Sequence, residues 1–193
     1  DNNGQWFRRP SQDCYDTGAS KSTISRDMLL GLYWYMWRHK MLDAAEALYA
    51  YGEEYNWIMG EGNFPDGFDR VIMNTNMIST LAQIIYKLGG RDHSVARRYP
   101  VLWTTPDPGF EQHLAGLHIV LRREIYGGVS LNAQHVLNEL YDSNPANPLF
   151  AVGVNDFAKA EAILMNTNFF PARRLPTSAD RCTGWLQERA VLD

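Results

Sequence analysis

An all-α fold of stacked antiparallel αα-hairpins, with one small β-hairpin inserted near residues 57–73, is what this sequence predicts. Three observations carry that expectation. Apolar residues recur at helical spacing along most of the chain; the breaks between these stretches are short and rich in Gly, Pro and Asn; and only Trp57-Ile58-Met59 and Val71-Ile72-Met73 have the β-prone character of strands. The pattern suits either a short superhelix or part of an α/α toroid.

Residues 1–21 are polar, with Gly, Pro and Asp, and read as an irregular arm. A helix follows, with Ser22, Thr23 or Ser25 available as its cap and Asp27 placed for the dipole. Its core, MLLGLYWYMW, is apolar nearly all round, as in a helix surrounded by others. After RHKM, a second helix turns Leu42, Ala45, Tyr49 and Gly52 inward and Asp43, Glu46, Glu53 and Glu54 outward, so the two form a hairpin.

The third helix has the clearest pattern, Met77, Leu81, Ile84, Ile85 and Leu88, stopped by Gly89-Gly90. DHSVARRYP adds a short helical turn. The next long helix takes Asp107 as cap and Pro108 at its first position, runs through Phe110, Leu114, Leu117, Leu121 and Ile125, and ends at Gly127-Gly128. A helix after Ser130 buries Val136, Leu137, Leu140 and Tyr141. NPLFAVGV and NDFAKAEAILMN make a weaker last pair, which closes a helical domain over residues 22–166. Residues 167–193 read as loop and a short helix around Trp185, packed on the same domain. LLGLYWYMWR…LDAAEAL and LAGLHIVLRR…LNAQHVL echo one another, without the fixed period of a helical repeat array.

The chain has 193 residues, 45% hydrophobic and 21% charged, which is enough apolar mass for one core. A net charge of −4 argues against nucleic acid as a partner, and no apolar run is long enough to span a membrane. Paired arginines, among them Arg122-Arg123, suit solvated faces and helix C-termini; an anion patch is the sharper alternative. Cys14 and Cys182 both sit in loop-like contexts. Joined, they would tie the two terminal arms together, and a disulfide implies a periplasmic or extracellular address.

The densest group of chemistry-bearing residues lies on the insert. Phe64-Pro65-Asp66-Gly67 is good turn chemistry. Around it Glu61, Asn63, Asp66 and Asp69 cluster oxygen atoms, with Arg70 beside them. Such a set could bind Ca²⁺, but its spacing departs from the EF-hand loop, so no cofactor is expected. An elbow that lets two helices meet explains the same residues. His113 and His118, five apart, do not share a helix face as zinc ligands would, and no zincin, thiol-pair, phosphate-loop or nucleophile-elbow motif is present. Trp34 and Trp57 are the aromatics most able to leave a face open to a ligand.

Two functions follow as expectations. The first is a non-catalytic, exported helical domain for binding or assembly with a protein or glycan. It would act through the hairpin-bearing rim and the arms, using Trp34, Trp57, Glu61, Asn63, Asp66, Asp69, Arg70 and Arg122. The alternative is a carbohydrate-active hydrolase or lyase with Glu61, Asp66 and Asp69 as acids and bases and His113 or Arg122 as a charge-stabilising group.

Overall fold

The computed structural model describes residue 6 and residues 24–61, 70–98, 103–106 and 110–165. The described chain is mostly helical, with one two-stranded antiparallel sheet. Its elements are α1 (Arg26–Arg38), α2 (Leu42–Glu54), β1 (Ile58–Glu61), β2 (Arg70–Ile72), α3 (Thr75–Lys87), α4 (Ser94–Arg97), α5 (Phe110–Tyr126), α6 (Leu131–Ser143), α7 (Pro148–Gly153) and α8 (Phe157–Met165). The arms apart from Trp6, both cysteines, the Asp107-Pro108 cap and the turn at residues 64–67 fall outside the described residues.

Helix α3 is the enclosed one. Asn74 caps it by accepting a hydrogen bond from the Met77 amide at 3.0 Å, and Gly89, at φ +89°, ends it in a conformation that costs other residues strain. Every residue from Met77 to Ile85 is buried, because α1, α2, α4 and α5 all pack on it. Helix α1, expected to be the surrounded one, instead buries Leu29, Leu30, Tyr33 and Met36 and leaves Tyr35 exposed. Its remaining aromatics are half-covered, Trp37 by the ammonium of Lys40 at 4.1 Å from the ring centroid.

The sheet is the elbow. β1 and β2 pair Ile58 with Ile72, Gly60 with Val71 and Glu61 with Arg70, with an irregularity at Met59 that turns this side chain inward. Met59 and Met73 plug the end of the core, while Ile72 faces solvent. Just before β1, Asn56 and Trp57 take positive φ, and the Trp57 amide donates to Gly52 O at 2.6 Å. The Trp57 ring lies so close over Gly52 that a Cβ there would displace it.

Helix α5 divides the interior. Leu114, Leu121 and Ile125 face a large apolar cluster built from α1, α2, α3 and the sheet; Ile119 and Val120 face a smaller one with Val136, Leu137, Leu140 and Phe150. At 100° per residue these two sets lie on nearly opposite sides of α5. Gly116 allows Phe150 of α7 to pack directly on the helix, since an added Cβ would meet that ring at 2.5 Å. Arg123 fixes the same junction: it donates to the carbonyls of Gly153 at 2.7 Å and Val152 at 3.2 Å, and so satisfies the C-terminus of α7. Helix α8, capped by Asp156, buries Ala160 and Ile163 and leaves Phe157, Leu164 and Met165 exposed.

Candidate functional site

Between its two apolar faces α5 carries a third, more polar stripe: Glu111, Ala115, His118, Arg122 and Tyr126, spaced three or four apart. The polar stretch Ser79-Thr80 on the enclosed helix α3 meets it. The Thr80 hydroxyl lies 2.8 Å from His118 Nε2, accepts from Arg122 Nη1 at 2.8 Å, and is 2.8 Å from the Asn76 carbonyl one turn back. A hydroxyl has one proton to give. Either Asn76 receives it and His118 Nε2 donates, or His118 receives it; the second arrangement requires a neutral imidazole, and the first accommodates one.

Electrostatics agree with this. His118 is 4% exposed, and burial, reinforced by the guanidinium of Arg122, pushes its pKa down to about 3. Burial also lowers the pKa of Arg122, with Tyr126 acting in the opposite direction. Arg122 keeps its charge, and among the described residues no carboxylate forms an ion pair with it.

Trp103 lies over this seam. Its amide donates to Asn132 Oδ1 at 3.1 Å, and its indole meets His118 edge-on, centroids 5.3 Å apart. The segment it belongs to is strapped down further on, where Gln112 donates to Pro106 O at 3.2 Å and Thr105 bonds Glu139. A cavity lies on each side. The first, of about 220 Å³, has His118 and Met77 among its lining residues, with Asn74, Asn76, Thr104 and the Arg26–Glu111 ion pair. The second, also about 220 Å³, is bordered by Arg122, Tyr126, Ile119, Val129 and Ala133.

The residues singled out from sequence are dispersed. Trp34 is half-buried where the two apolar clusters meet, and Trp57 is half-buried with its edge on Tyr49, centroids 5.0 Å apart. Glu61 and Arg70 oppose each other across the strand pair, and Asn63, Asp66 and Asp69 lie outside the described residues. His113 is exposed on α5. Only Arg122 joins the seam. Among the described residues no group of three or more His, Cys, Asp or Glu side chains could hold a metal ion. His118 and Trp103 were not candidates on sequence grounds. The usable signal was the i, i+4 spacing of His118 and Arg122, together with hydroxyl residues inside the apolar stripe of α3.

Comparison with protein-family models, with curated proteins and with solved structures returned no match.

Proposed function

We propose that the chain is a non-catalytic helical domain that binds a segment of a polypeptide partner in the first cavity, beneath Trp103. The observation that carries this reading is the buried His118 ring, held by Thr80 beside a polar cleft, with burial pushing its pKa down to about 3. A base with a pKa near 3 abstracts protons poorly at neutral pH, but an imidazole held in one place is a good recognition group. The Asn74 and Asn76 amides, the Thr104 hydroxyl and a rim bearing both charges offer donors and acceptors of the kind a peptide backbone needs. Trp103, 9% exposed, offers no open face for a sugar ring to stack on, which favours peptide over glycan.

The finer architecture belongs to the same reading. Helices α1 with α2, and α5 with α6, carry the two copies of the sequence echo, and α1 packs on α5. Two stacked αα-hairpins would bring about that contact. An exported protein with a Cys14–Cys182 bridge completes the proposal; the mass of the intact chain before and after thiol alkylation tests it, since a bridged chain takes up no reagent until reduced.

Selection of a displayed random-peptide library on the intact chain tests the binding. Enriched peptides should lose about tenfold in affinity or more toward Thr104→Arg, which blocks the mouth from an exposed position, while its thermal melt is unchanged. Peptides that bind this variant as well as wild type, or no enrichment at all, would overturn the assignment.

A further inference from the structure

We propose that the second cavity, on the other side of Trp103, is a separate site for a small carboxylate carrying an apolar body. Its basis is the charge of Arg122, which no carboxylate among the described residues matches. The guanidinium is more than half-buried, with Nη1 directed at Thr80 Oγ1 at 2.8 Å and, more weakly, at Asn76 O at 3.5 Å, and with the Tyr126 ring beside it. All three partners are neutral. A guanidinium has five N–H donors, so these partners leave donors over. A cation withdrawn from water without a counter-charge is costly, and a carboxylate taken up in a forked geometry supplies one.

The rest of the wall selects the ligand's other end. Trp103, Ile119, Val129 and Ala133 are apolar, and Tyr126 presents its ring, with Arg122 Cζ 4.5 Å from the centroid. A fully hydrated anion such as phosphate would lose its water against these groups and receive one cation in return. An aryl or short branched carboxylate would bury its body there instead. The volume fits: about 220 Å³ here, against the ~150 Å³ of an apolar cavity that accepts benzene. Ser130, the cap of α6, lies at the same cavity, so the positive end of that helix adds potential of the same sign.

Benzoate and its neutral isostere benzamide are the probes, titrated into the intact chain and followed by amide chemical shifts at residues 128–133. Benzoate should bind about tenfold more tightly than benzamide, or better. Arg122→Met should abolish that preference. Because Arg122→Met also removes the bond to Thr80 and could unsettle the fold, Val129→Phe supplies a second arm: it fills the cavity from a half-buried loop position without touching the guanidinium. It should weaken benzoate at least about tenfold with the circular-dichroism melt unchanged. Equal binding of benzoate and benzamide would sink the proposal, as would shifts caused by inorganic phosphate but not benzoate, or benzoate binding that survives Val129→Phe.

Discussion

The two apolar clusters on either side of α5 differ in what surrounds them. The larger is walled by α1, α2, α3 and α5, with Met59 and Met73 at its end, and it meets the first cavity through Leu30, Met77 and Leu114. The smaller borders the polar seam of Thr80, His118 and Arg122, and Trp103 belongs at once to its packing and to both cavities. The difference teaches where chemistry can sit in such a fold. Two opposed apolar faces fix the position and rotation of α5, so the stripe between them can carry polar groups that packing does not need.

The sharpest way to break the comparison is to cut a side chain from each cluster. Leu81 and Leu137 are both fully buried. Leu81→Ala should cost about 3 to 5 kcal/mol because its neighbours have nowhere to collapse, and Leu137→Ala nearer 2 to 3 kcal/mol, read from urea denaturation. An equal or reversed order would mean that the clusters are equally rigid.

The seam should show itself through pH. The folded-state pKa of His118 is about 3, below its usual 6.5, so between these values the unfolded chain binds the extra proton. The stability tied to a neutral His118 is therefore present above pH 6.5 and lost as pH falls. Lowering pH from 6.5 to 5 should cost wild type about 2 kcal/mol more than it costs His118→Gln. His93, whose pKa burial also lowers, contributes equally to both proteins and cancels. Parallel pH profiles would place His118 in contact with water.

Thr80→Val keeps the shape and removes the shared hydroxyl. Leaving His118 and Arg122 short of a partner should cost about 1 to 2 kcal/mol in the same denaturation assay. The smallest effect belongs to the rim. Glu111→Ala breaks an exposed pair with Arg26 and should change stability by less than about 1 kcal/mol. Its effect should appear instead as a changed salt dependence of peptide binding.

Much of the fold was legible because it is periodic. The stripe Met77, Leu81, Ile84, Ile85, the stop at Gly89 and the β-prone runs flanking residues 62–69 each follow from local rules; the helix formed there, and the strands formed a residue or two away, with Trp57 and Met73 outside them. Which helix would be enclosed was not legible. Apolarity all round suggested α1, but enclosure depends on how many neighbours arrive, and α3 receives four. The site was harder still. Oxygen-rich side chains drew attention to the insert, whereas the seam joins Thr80 to His118 across 38 positions of sequence. A Thr within one helix and a His within another carry no meaning until tertiary packing makes them touch.

The opposed faces of α5 also bear on how this protein tolerates change in length. One residue inserted before Gly116 would turn everything downstream by about 100°. Leu121 would leave its cluster, Arg122 would swing away from Thr80, and Arg123 would release the end of α7. Lineages of this chain should therefore vary freely in the span joining β1 to β2 and hold α5 to a constant number of residues.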